Sequence, residues 1–313
     1  MGRVGIGQAE DARAGTGGTV IVSEEGMAAG LDVRGGGPAS RESQLLNPLM
    51  AAQVIHAVVL AGGSAFGLDA AGGVMEYLEE RGVGYDVGVT RVPLVAQSDL
   101  FDLTVGRQSV RPDKAMGYAA AKAALEAPNY CDGNHGAGCG ATVGKICGME
   151  TCMKTGMGSY AVQVGALRVG ALVALNALGD VFDPKTGRKI AGVLREDRSG
   201  FRDTLEIMSR RTEVVENKFV GNTTLGVVIT NAAFVKSQLC KIASMAHDGL
   251  ARCVRPVHTS ADGDSIYALS AGEVKADMDL VGALAAEVMS EAIVRAVTSA
   301  ESAYGFIAAK DLL

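Results

Sequence analysis

The residues best able to do chemistry lie in one stretch, Gly221-Asn222-Thr223-Thr224-Leu225-Gly226-Val227-Val228-Ile229-Thr230-Asn231-Ala232. An Asn-Thr step stands at the mouth of an apolar run about as long as one buried strand. Thr230-Asn231 closes that run with residue types suited to capping a helix. A hydroxyl at a strand entrance is either edge decoration or a nucleophile fixed at the end of a rigid element. A nucleophilic hydroxyl needs a base, and no Ser/His/Asp order suggests itself. His56, His247 and His258 are isolated, and His56 lies inside an apolar run where it reads as a satisfied core residue. Threonine has another route. If the peptide bond before Thr223 is cut, its own free α-amine, with an ordinary pKa of about 8, becomes the base beside the hydroxyl.

Three other patterns fail on inspection. Gly136 to Lys145 suggests a phosphate loop, but Cys139 and Ile146 stand where that motif needs Gly and Ser or Thr. It reads instead as a glycine-lined turn presenting Lys145. Gly62-Gly63-Ser64-Ala65-Phe66 lacks the second glycine of a nucleophile elbow, so Ser64 is expected to cap a helix. Cys131, His135 and Cys139 are evenly spaced and contain no Cys-x-x-Cys pair, so no metal is expected, and no cofactor.

The elements that must position Thr223 follow from periodicity. Residues 1–17 read as a loose lead-in and Thr19 to Ser23 as a short strand. Val54 to Ala61 is a buried strand stopped by Gly62-Gly63, and Ser64 to Glu80 and Asp113 to Glu126 are helical. Tyr160 to Ala177 reads as two strands joined near Arg168-Val169-Gly170, with Asn176 inside the second. Leu225 to Ile229 and Ile266 to Leu269 are further strands. Late helices are expected from about Ala233 to Leu250 and from Asp279 to Ala300, the second opened by Asp279. Strands and helices mix without a regular βαβ beat, which points to α+β layers with helices outside stacked sheets. The charge-dense stretch from Asp183 to Lys218 is expected to be a solvated surface excursion.

With 48% hydrophobic and 20% charged residues, the 313-residue chain can bury a large core. Forty-two glycines and no Trp favour close packing of layers over an aromatic ligand groove. A net charge of −6 argues against a nucleic-acid role. No apolar leader or membrane-length run is found, and six cysteines are too few for a secreted scaffold, so a cytoplasmic, reduced setting is expected.

Several motifs together resemble the β-peptidyl aminopeptidase family (L-aminopeptidase/D-esterase type), most closely its 6-aminohexanoate-oligomer endohydrolase branch. They are Val58 to Leu68, Gly136 to Lys145, Asn176 to Val181, Gly221 to Ala232, and His258-Thr259 through Asp262-Gly263-Asp264, in that order along most of the chain. The resemblance implies a single four-layer αββα domain over 1–313. It implies self-cleavage between Asn222 and Thr223, giving fragments 1–222 and 223–313 that stay associated, and a homo-oligomer. It further implies amide hydrolysis through an acyl-enzyme on Thr223. Lys145 matches a lysine beside the nucleophile, where an ammonium would lower the amine pKa and hold developing charge. Asn176 matches an oxyanion donor. Asp262 and Asp264 match an acidic pair able to orient the Thr223 hydroxyl and amine. The aminopeptidase branch carries Ser and Glu at those two positions, which favours the endohydrolase-like branch. A family tyrosine has no counterpart in Asp99-Leu100-Phe101-Asp102-Leu103. Two competing readings are an ornithine-acetyltransferase-type acyl transfer, disfavoured because its cleaved step is usually Ala-Thr, and an unprocessed binding protein.

Overall fold

The computed structural model describes residues 4–210 and 221–312. Nine strands form its main framework: β1 (Gly5–Asp11), β2 (Thr16–Val33), β3 (Ala39–Arg41), β4 (Ile55–Ala61), β5 (Val95–Asp99), β6 (Met157–Val164), β7 (Leu167–Ala174), β8 (Leu225–Ala232) and β9 (Ser265–Val274). They hydrogen-bond in the order β6-β7-β8-β9-β2-β4-β5-β3, with β1 also on β2. The long β2 serves two sheets. Its first half pairs with β1 and β4, its second half with β9, and a register shift between Val22 and Met27 marks the bend.

Alternation along the strands builds the layers, because successive side chains face opposite ways. Ile21, Val58, Leu60, Leu225, Val227, Tyr267 and Leu269 meet in a core between the sheets. Their neighbours Val20, Val22, Ala57 and Val59 face α1 (Ala70–Glu80) and α2 (Lys114–Glu126). Val173, Val228, Ile266 and Ala268 face α3 (Lys236–Cys253) and α4 (Met278–Thr298). The result is the expected four-layer αββα sandwich. The abundant glycines let the layers approach: a Cβ on Gly30 would lie 2.2 Å from the Cys240 backbone of α3, and one on Gly158 2.0 Å from the Ala292 carbonyl of α4.

Several local expectations are corrected. Within the lead-in, Gly5–Asp11 form the regular strand β1, since pairing with β2 satisfies a backbone whose polar residues suggested a loop. Thr230-Asn231 belongs to β8 and caps no helix. Asn231 instead accepts from Arg168 N–H and donates to the Ala166 carbonyl, fastening the β6–β7 turn, which lies at Gly165-Ala166 and not at residues 168–170. Ser64 has φ +52° in a 3-10 turn and makes no side-chain cap. Asp277, not Asp279, caps α4 by accepting from Leu280 N–H. Asn176 lies just past the end of β7. In the charged stretch, Lys189 is mostly buried against Asp180, whereas residues 211–218 lie outside the described residues.

Candidate active site

Strand register gathers the site. Parallel β8 and β9 pair Leu225 with Ser265, so the two residues preceding each, Thr223-Thr224 and Gly263-Asp264, enter side by side. Antiparallel β7 pairs Ala174 with Leu225, which carries Asn176 opposite Thr223. The ladder continues there, with Thr223 N–H donating to the Asn176 carbonyl at 2.7 Å. Three strands thus deliver Thr223, Asn176, Gly263 and Asp264 to one point. The fifth group, Lys145, arrives from the glycine-lined turn, pinned by its N–H on the Leu178 carbonyl at 3.1 Å.

Thr223 is buried, and its hydroxyl donates to the carbonyl of the preceding residue, Asn222. The Gly263 N–H donates to that same carbonyl oxygen at 3.2 Å. Residue 263 must be glycine for this packing, because a Cβ there would lie 2.5 Å from Thr223 Oγ1. One bond upstream, the Gly221 carbonyl accepts from Lys145 Nζ at 2.9 Å and from Asn176 Nδ2 at 3.4 Å. Gly221 is itself without room for a side chain, since the Phe101 ring fills the place of its Cβ.

Asn176 is oriented from both ends. Its Oδ1 accepts from Lys145 Nζ at 2.5 Å and from Thr142 N–H at 3.1 Å, so Nδ2 must point at the Phe101 and Gly221 carbonyls. Lys145 is buried, and desolvation lowers its pKa to about 8. Asp262 and Asp264 take different partners, and neither is hydrogen-bonded to the Thr223 hydroxyl, which donates to the Asn222 carbonyl. Asp264 Oδ1 accepts from Thr224 N–H at 2.8 Å, while Asp262 accepts from the Thr259 N–H and hydroxyl. Burial first, then the Asp264 charge, raises the Asp262 pKa above the ordinary carboxylate value.

A pocket of about 20 Å³ opens onto Thr223 between Ser64, Asp99, Phe101, Asn222 and Ala261. A larger cavity of about 440 Å³ lies beside Tyr130, Tyr160 and Arg295 and touches none of these groups. The reactive groups locate the site better than cavity size does. Sequence reasoning missed the Gly263 N–H, because a backbone donor leaves no trace in residue type. It also missed Asp99, at the end of β5, whose burial pushes its carboxyl well above the ordinary range. Its strand, Val95-Ala96-Gln97-Ser98-Asp99, is mostly polar and gives no signal of burial in the sequence.

Two sheets stacked face to face with helices on both outer sides, and a hydroxyl at the mouth of a central strand, describe the N-terminal-nucleophile (Ntn) hydrolase fold. The solved L-aminopeptidase D-Ala-esterase/amidase of Ochrobactrum anthropi, described as a variant of that fold, superposes with a TM-score of 0.68 at 18% identity, over 95% of this chain and 84% of that one. The profile of peptidase family S58 matches residues 2–310, and the chain belongs to that family. An uncharacterized aminopeptidase of Mycobacterium leprae is 37% identical over 92% of this chain and 83% of its own. The 6-aminohexanoate-oligomer endohydrolase of Kocuria sp. is 30% identical over 94% and 83%. The chain is therefore an amide hydrolase.

Proposed function

We propose that the chain cuts itself between Asn222 and Thr223, and that Thr223 then hydrolyses amides of short peptides or aminohexanoate oligomers through an acyl-enzyme. The observation that carries this reading is the Thr223 hydroxyl lying against the Asn222 carbonyl while Gly263 N–H holds the same oxygen. In self-cleavage, Oγ1 attacks the Asn222 carbonyl carbon and Gly263 stabilises the developing oxyanion. The Thr223 nitrogen leaves with the hydroxyl proton as a free α-amine, an ester joins Asn222 to Oγ1, and water hydrolyses that ester to the Asn222 carboxylate and the Thr223 hydroxyl.

In the mature enzyme the amine takes the hydroxyl proton as Oγ1 attacks a substrate amide, and the leaving amine is then protonated. Departure of the Gly221-Asn222 end frees Lys145 Nζ and Asn176 Nδ2 to hold substrate carbonyl oxygen. Interleaved strands support continued association of the fragments: β8 and β9 from 223–313 lie between β7 and β2 from 1–222.

Thr223→Ala tests the reading. It is expected to give one uncut band on a denaturing gel and to lower amide hydrolysis on the order of 10³-fold or more. A variant that still splits, or keeps full activity, removes Thr223 from this role. Intact-mass trapping of the acyl-enzyme with linear aminohexanoate oligomers, α-peptides and β-peptides identifies the substrate class.

A further inference from the structure

We propose that His258, braced by His247, is a positioning residue that fixes Asp264 and, through it, the backbone beside Thr223. The proposal rests on Thr223 being the nucleophile. The two histidines, isolated in sequence, meet in the fold: their rings contact edge to face with centroids 4.7 Å apart. His258 Nδ1 lies 2.8 Å from Asp264 Oδ2, and the His258 backbone N–H donates to the same oxygen at 3.2 Å. The other carboxylate oxygen, Oδ1, accepts from Thr224 N–H. The carboxylate therefore spans from the histidine to the residue following the nucleophile.

The tautomers follow from the partners. Asp264 Oδ2 accepts, so His258 Nδ1 carries a proton. His247 Nε2 lies 3.0 Å from the Asp32 carbonyl, which only accepts, so Nε2 is protonated. Burial lowers the His247 pKa and keeps that ring neutral near pH 7. His258 Nε2 and His247 Nδ1 are both buried without a hydrogen-bond partner among the described residues. Each ring thus spends one nitrogen on a fixed partner and leaves the other bare, an arrangement that costs desolvation. His258 also holds a left-handed backbone, φ +55°, uncommon for a residue with a Cβ. That conformation turns both of its N–H donors onto one carboxylate oxygen. A chain of contacts runs from Asp32 on β2 through His247 and His258 to Asp264 and Thr224.

The test compares His258→Asn with His258→Leu in the full-length chain after maturation. Asn places an amide N–H near the Nδ1 position and tolerates the left-handed backbone. Both variants keep the backbone N–H that reaches Asp264, and they differ in whether the side chain still offers a donor. His258→Leu is expected to lower kcat for amide hydrolysis about 10-fold to 100-fold with KM within about twofold, since misplacement near 1 Å costs about that much. His258→Asn is expected to stay within about threefold of the parent. Equal activity of His258→Leu and parent, equal losses in both variants, or a loss that vanishes once activity is scaled to folded protein each overturns the proposal. If His258→Leu does not fold, His258→Gln replaces it: Gln sends its amide toward the Nε2 position, and activity matching that of His258→Asn overturns the proposal. Thr223→Ala run alongside separates the two claims, because full activity there defeats the nucleophile reading whatever the His258 variants do.

Discussion

Lys145 and Lys154 are both buried, and both lose basicity to desolvation, to about 8 and about 7 respectively. Their partners differ. Lys154 Nζ donates to the carbonyls of Gly138, Ala141 and Thr155, so its ammonium ties up the glycine-lined turn. Lys145 Nζ donates to Asn176 Oδ1 and to the Gly221 carbonyl, in the segment that ends at the Asn222-Thr223 bond. A shifted pKa alone would nominate either lysine for chemistry. The deciding difference is whether the accepting carbonyl can leave. Lys154's carbonyls belong to the fixed scaffold, whereas Lys145's second acceptor would move away in the proposed self-cleavage.

The sharpest way to break this comparison is Lys145→Met. Hydrolysis by the mature enzyme is expected to fall about 10²-fold to 10³-fold, the range for losing one donor to developing charge. The thermal midpoint should change little, since Asn176 Oδ1 keeps the Thr142 N–H and the Gly221 carbonyl keeps Asn176 Nδ2. A collapse of stability with normal activity per folded molecule would make Lys145 a second Lys154. Lys154→Met should do the opposite. Leaving the buried Thr155 carbonyl without its donor is expected to cost about 3 kcal/mol, read as a lower denaturant midpoint, with activity per folded molecule retained.

The pH dependence separates the two again. Lys145 loses its ammonium above about 8, so hydrolysis is expected to decline above that pH, and the Lys145→Met profile should lack this limb. For stability the sign is reversed. Lys154 has a folded pKa of about 7 against an ordinary 10.5, so between these values the unfolded chain binds more protons. Its contribution is complete above about 10.5 and is lost as the pH falls through about 7. Relative to Lys154→Met, the parent should therefore gain stability between pH 7 and 10 in pH-resolved denaturation.

The smallest effect belongs to a third carbonyl-binding lysine. Lys236 Nζ donates to Leu45, Asn47 and Met50, in a loop whose Leu49 side chain is 86% exposed. Water can replace that donor, so Lys236→Met is expected to cost only about 1 kcal/mol by denaturant titration. A loss as large as that of Lys154→Met would show that exposure of the loop does not matter.

Much of the fold was legible because hydrophobic alternation is a local signal. Val54 to Ala61, Leu225 to Ile229 and the helix at Asp113 to Glu126 lie close to where their patterns place them. The errors cluster where a distant partner overrides local residue type. Asn231 suits a helix cap but serves a hairpin turn, and polar residues 5–11 form a strand because β2 supplies their hydrogen bonds. In the candidate site, Thr223 stood out by its residue type and place before an apolar run, and the family resemblance nominated Lys145, Asn176 and the two aspartates. Its backbone donor at Gly263, its buried Asp99 and its paired histidines were not legible.

The sequence by itself determined which residues can react, because functional groups are properties of residue type, and its patterns pointed to α+β layers with helices outside stacked sheets, the four-layer αββα arrangement being implied by the family resemblance. Only the tertiary structure decided who meets whom. Parallel pairing of β8 with β9 sets Gly263 against the Asn222 carbonyl, antiparallel pairing of β7 with β8 sets Asn176 against Thr223, and a left-handed His258 turns toward Asp264. Register and backbone conformation result from the packing of the whole chain, so no local stretch of residues encodes them.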